Sequence, residues 1–187
     1  MREAPGALFN DQSCLVVDQT MVEEIKQRAL SDPRGRFRLC LHHRPSDGVQ
    51  QMIIACTPRS YSAPHRHPGR VLSYQMIEGR LSVVLFDDNG RVEQVFRLGG
   101  DGPFCLWLGA SQWYMPLAET ETAVFCEVLQ GPNADDQAVE WAPWAPEEGG
   151  PEAAAYLRKL GCDVLGIGVE YEKQGLDCPD VTGKVVA

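Results

Sequence analysis

Pro64-His65-Arg66-His67-Pro68 is the stretch that most restricts what this chain can fold into. Two histidines one residue apart on an extended backbone point to the same side, because side chains alternate along a strand. A pair of imidazoles converging on one side is half of a metal site. The residues that follow alternate too, with Leu72, Tyr74 and Met76 set against Ser73 and Gln75 until Glu78-Gly79 stops the pattern. The segment reads as a strand closed by a turn.

The same alternation recurs along the chain. Arg36 to His42 puts Phe37, Leu39 and Leu41 on one face, and Gln51 to Thr57 is a second strand. Leu81 to Phe86 and Arg91 to Leu98 flank Asp87-Asp88-Asn89-Gly90 as a hairpin, since Asn-Gly tolerates positive φ in a tight turn. Phe104 to Leu108 and Thr122 to Leu129 are further strands, separated by a turn over Gly109 to Pro116. Seven or eight short strands with turn punctuation predict a closed or sandwiched antiparallel architecture. Two helices flank it. Asp18 to Leu30 carries a Thr20–Glu23 capping box and a Val22, Ile25, Ala29 stripe, and Glu152 to Leu160 is a short second helix. Cys14 to Val17 reads as an edge strand or arm, and Gly161 to Ala187 is Gly-rich and weakly patterned.

Met52 to Ala55, the His65-Arg66-His67 motif, Val83 to Asp87 and Trp141-Ala142-Pro143-Trp144-Ala145-Pro146 together resemble the WbuC-type cupins, over roughly residues 36 to 148. The resemblance implies an all-β, cupin-type jelly-roll β-barrel with an N-terminal helix and a short C-terminal helical extension. It divides the chain into an arm and helix over 1–35, the barrel over 36–148 and an extension over 149–187. It also implies a metalloprotein linked to O-antigen and surface-polysaccharide synthesis.

Against that pattern the ligand set is reduced. His65 and His67 stand where the family holds metal, but Leu72 takes the glutamate's place and Tyr114 the later histidine's. The four histidines of the chain are His42, His43, His65 and His67, so no later strand supplies an imidazole. His42 and His43, adjacent on a strand end, face opposite ways and are read first as solvated or capping residues, and second as the only other imidazoles that could serve as ligands. Tyr74 and Leu72 form an apolar pocket wall, and alternation turns one of Cys126 and Glu127 inward. The pocket candidates are thus Leu72, Tyr74, Tyr114, Cys126 and Glu127, around a divalent transition-metal site that is weak or absent. Trp141 and Trp144 read first as a packed lid and second as an aromatic wall for a sugar ring.

Composition narrows the partners. A chain of 187 residues with a formal net charge of −9 repels phosphate backbones, which argues against nucleic acid and anionic membrane surfaces. The first ten residues lack the apolar core of a signal peptide, and no apolar stretch reaches the length of a membrane span. Seven cysteines without a Cys-x-x-Cys pair are expected as free, buried thiols in a cytoplasmic protein. Two functions remain open. One is a metal-assisted or acid–base reaction on a sugar, sugar nucleotide or polyol, with His65 and His67 as ligands or proton shuttles. The other is a non-catalytic, metal-free binding or assembly module, and a homodimer suits either.

Overall fold

The alternating segments gather into two sheets. A computed structural model describes residues 1–134 and 138–165 of the chain. The first sheet contains β1 (Arg2–Ala4), β2 (Ala7–Phe9), β3 (Arg36–Cys40), β4 (Val49–Cys56), β6 (Leu72–Glu78), β9 (Cys105–Leu108) and β11 (Ala123–Gln130). The second contains β5 (His65–Arg66), β7 (Arg80–Phe86), β8 (Val92–Gly99), β10 (Trp113–Ala118) and β12 (Glu140–Trp141). Helix α1 spans Gln19–Ser31 and α2 spans Ala153–Leu165.

The strand order is β1-β2-β3-β4-β11-β6-β9 in one sheet and β12-β5-β10-β7-β8 in the other. From β4 to β11 the chain therefore deals its strands to the two sheets as a double-sheet jelly roll does. All pairs are antiparallel except β2 with β3. The expected barrel does not close, because no strand of one sheet pairs with a strand of the other. The edges are left to other elements.

Alternation then sorts side chains into layers. Leu72, Tyr74, Phe125 and Leu129 from the first sheet meet Leu81, Val83, Leu85, Leu98 and Tyr114 from the second in the central core. The outer face of the first sheet packs Phe37, Leu39, Ile53, Val124 and Cys126 against Val22, Ile25 and Ala29 of α1. The outer face of the second packs Val84, Phe86, Trp113, Met115 and Leu117 against Ala153, Leu157 and Leu160 of α2. The molecule is a helix–sheet–sheet–helix sandwich. The short helix expected over Glu152 to Leu160 runs on to Leu165 and packs against the outer face of the second sheet through Ala153, Leu157 and Leu160. Residues 166–187 of the 149–187 segment lie outside the described residues.

Several local expectations need correction. Cys14 to Val17 forms no strand; the N-terminal arm instead pairs as the β1–β2 hairpin. Asp18, not Thr20, caps α1, accepting a hydrogen bond from the Met21 amide. Trp113 to Pro116, read as the end of a turn, belong to strand β10, Trp113–Ala118, which pairs with β7 over its full length. The turn after Glu78 is as expected from its glycine. Gly79 has φ +75°, and a Cβ there would lie 2.4 Å from the Thr122 carbonyl oxygen. Cys14, Cys40, Cys56, Cys105 and Cys126 are free thiols, whereas Cys162 on α2 is disulfide-bonded, contrary to expectation. The apolar-run argument for free thiols covers the strand cysteines and does not extend to that helix. Among the described residues no helix is long and apolar enough to cross a membrane.

Candidate ligand-binding site

Between the sheets lies a cavity of about 400 Å³. Its walls include Arg36, Arg38 and Cys40 of β3, Gln50, Met52, Ile54 and Cys56 of β4, and Glu127 of β11. His65, His67, Tyr74 and Trp141 also line it.

The two histidines reach it because Arg66 between them is fastened outward. The Arg66 guanidinium donates from Nε to Glu140 Oε2 at 2.7 Å and from Nη2 to Oε1 at 3.0 Å. It also lies 4.2 Å from the centre of the Trp113 ring. An exposed ion pair of this kind contributes at most about 1 kcal/mol, so its importance is positional. β12 completes the clamp, with Trp141 opposite His65 and Glu140 opposite Arg66.

Each imidazole is held by one nitrogen. His65 Nδ1 is 2.8 Å from the Ala63 carbonyl oxygen, and His67 Nδ1 is 2.8 Å from that of Ala138. A carbonyl only accepts, so both Nδ1 atoms carry hydrogen and both Nε2 atoms keep a lone pair. Burial disfavours the charged imidazolium and holds His65 down at about 4; the His67 value is lowered for the same reason. Both rings are neutral acceptors at neutral pH. The two ring centres are 5.5 Å apart, and His65 lies between the Tyr114 ring at 4.5 Å and the Trp141 ring at 5.2 Å.

Across the first sheet, Met52, Glu127 and Tyr74 stand side by side in register. Burial raises the Glu127 carboxyl above its ordinary value, while the Tyr74 hydroxyl and the Arg38 charge draw it part of the way back. Burial also raises both the Tyr74 and Tyr114 phenols well above theirs. Both stay protonated at neutral pH. The Tyr114 hydroxyl is buried and makes no hydrogen bond of ordinary geometry, though Tyr74 is near enough to act on its ionisation.

The remaining sequence candidates part company. Tyr74 and Glu127 line the cavity, and Tyr114 packs against His65 directly behind it. Leu72 is a core residue, and Cys126 faces α1 with its sulfur 3.5 Å from Gln51 Nε2. His42 is buried at the cavity edge with Nδ1 3.1 Å from the Gln51 carbonyl oxygen; His43 is exposed. Trp141 is 54% exposed on the cavity wall, whereas Trp144 packs on Phe86 and Trp113, so the two indoles do different jobs. Sequence reasoning missed Arg36 and Arg38. Their spacing, one residue apart on β3, is the available signal, but alternation alone does not say which face of the strand is the inner one. The Phe37–Leu39 face meets α1, and the arginines face the cavity.

A metal centre fits these residues poorly. Among the described residues no three His, Cys, Asp or Glu side chains are grouped so as to hold a metal ion. Protein metal sites of zinc type draw on at least three such ligands. Leu72 offers no donor atom and burial favours the protonated Tyr114 phenol, so imidazoles stand at two of the four positions that the resemblance assigns to ligands.

Comparison with known proteins adds little beyond this chain's own geometry. The model of a domain of unknown function, DUF6016, matches residues 17–98, less than half of the chain. No curated protein matches. Among solved structures, an uncharacterised double-stranded β-helix protein from Klebsiella pneumoniae is similar at 15% identity and TM-score 0.44, over 57% of this chain and 79% of that one. An oxalate oxidase is similar at 16% identity and TM-score 0.44, over 61% and 58%. The cupin domain of Cnp3 from Schizosaccharomyces pombe is similar at 11% identity and TM-score 0.39, over 51% and 64%. This chain thus spans less than two thirds of the length of the last two.

Proposed function

We propose that this chain is a cupin-type, metal-independent binding module whose inter-sheet cavity takes a sugar-type small molecule. The observation that carries the reading is the pair of neutral imidazoles, each with Nδ1 held by a carbonyl and Nε2 left to accept. A ligand hydroxyl donates to such an acceptor, and Glu127 and Tyr74 on the facing sheet supply the complementary polar wall. The half-exposed Trp141 indole offers an apolar face for the C–H side of a sugar ring. The cavity volume falls within the range of about 300–1,000 Å³ usual for small-molecule sites. A role in surface-polysaccharide synthesis and a homodimer belong to the same proposal. Sedimentation analysis reads the last of these directly.

Calorimetric titration of the full chain in EDTA with D-glucose, D-glucuronate and glucose 1-phosphate tests the reading. Saturable one-to-one binding of at least one sugar, unchanged when EDTA is replaced by Zn²⁺, is the expected result. Absence of binding by all three, or binding only with Zn²⁺ present, would overturn it.

A second reading, a weak divalent-metal site at His65 and His67, is favoured by one observation. Metal-bound histidines characteristically donate their other ring nitrogen to a carbonyl or carboxylate, as both do here. On that reading Zn²⁺ affinity is lost in His65→Ala and in His67→Ala alike. It rises sharply when Leu72→Glu and Tyr114→His restore four ligands.

A further inference from the structure

The chain carries a formal net charge of −9, yet three arginines, Arg34, Arg36 and Arg38, line the cavity with a single carboxylate, Glu127. Two of the three are already committed. Arg34 pairs with Asp32 at 3.2 Å. Arg36 donates to the Tyr61 carbonyl at 2.7 Å and to both Glu148 oxygens at 2.6 Å. Arg38 makes no side-chain hydrogen bond or ion pair among the described residues, and its guanidinium is exposed at the cavity wall.

Arg38 is placed there by the sheet. On β3 it stands opposite Ile54 of β4, and Ile54 stands opposite Phe125 of β11, so its row is otherwise apolar. Glu127 lies in the adjacent row, opposite Met52. A planar guanidinium without a hydrogen-bonded partner, beside an apolar row and within the field of one half-buried carboxyl, is arranged to receive a two-oxygen anion.

We propose that the ligand of this cavity bears an anionic group, a carboxylate or a phosphate, received by Arg38, which is thereby the specificity-determining residue of the site. The inference rests on the reading of the cavity as a sugar-type site and sharpens it to sugar acids or sugar phosphates. The hydroxyls of such a ligand would meet His65, His67 and Glu127, and its anionic end would lie at β3. Burial keeps the Glu127 carboxyl more readily protonated than usual, which lessens its repulsion of an anion.

The experiment compares D-glucuronate, glucose 1-phosphate and neutral D-glucose on the full chain and on Arg38→Met and Arg38→Lys, by calorimetry in EDTA. Because Arg38 is exposed and unpartnered, both variants should keep the wild-type circular dichroism. The proposal expects the wild type to bind at least one anion tenfold or more tighter than glucose. Arg38→Met should remove that preference without weakening glucose, and Arg38→Lys should restore part of it. The tighter of the two anions assigns carboxylate or phosphate. Glucose binding as tightly as both anions, or anion affinity unchanged in Arg38→Met, overturns the inference while leaving the binding module standing. Failure of all three sugars overturns both.

Discussion

His65 owes its chemistry to its surroundings, and those surroundings make it a source of pH sensitivity. Its folded-state value of about 4 lies below the ordinary value of about 6.5. Between these two pH values the unfolded chain binds a proton that the folded chain refuses, so stability falls as pH drops from about 6.5 toward 4. The limit of this effect is on the order of 3 kcal/mol. Glu127 acts in the opposite sense, since its raised folded-state value favours the folded chain as pH falls toward the ordinary carboxylate range. The difference between wild type and His65→Gln isolates the histidine. Thermal melts across pH 4 to 8 should show the wild type losing stability below about 6.5 more steeply than the variant. Parallel curves would contradict the half-buried, neutral imidazole.

At the scale of elements, α2 is the clearest departure from the appearance of the sequence. Leu157 is 5% exposed and packs in the cluster that holds Phe86, Trp113 and Met115. Truncating it should leave a cavity under the helix and cost about 2–5 kcal/mol in urea unfolding of Leu157→Ala. A change below about 0.5 kcal/mol would return α2 to the status of a loose appendage. The clue was present in β7, where Ser82, Val84 and Phe86 face outward opposite Leu81, Val83 and Leu85. A strand apolar on both faces is covered on both faces. Alternation made most strands legible, because period two is local. β10 escaped because Pro116 and the preceding Gly109 to Gln112 look like turn chemistry, and only pairing with β7 makes Trp113–Ala118 a strand. The site was legible to the extent that it follows alternation, which carried His65, His67 and Tyr74 toward the cavity and left the choice between Cys126 and Glu127 open. It was illegible where tertiary layering decides. Which side of β3 is inside depends on where α1 packs, and the local pattern of Arg36 to Cys40 does not contain that information.

For the whole molecule, two facing sheets with a helix on each outer side leave one interior space that polar residues share. Its imidazoles are neutral, its phenols are protonated, and among the described residues no three His, Cys, Asp or Glu side chains are grouped so as to hold a metal ion. On the reading proposed above, a ligand would be held there by hydrogen bonds, a stacked indole and one guanidinium, with no ion at the centre. The most direct test is the metal content of the full chain, expressed without an affinity histidine tag and purified without chelator, by inductively coupled plasma mass spectrometry after gel filtration. Transition metal far below one equivalent per chain is the expected result, and a stoichiometric, retained metal would contradict the account.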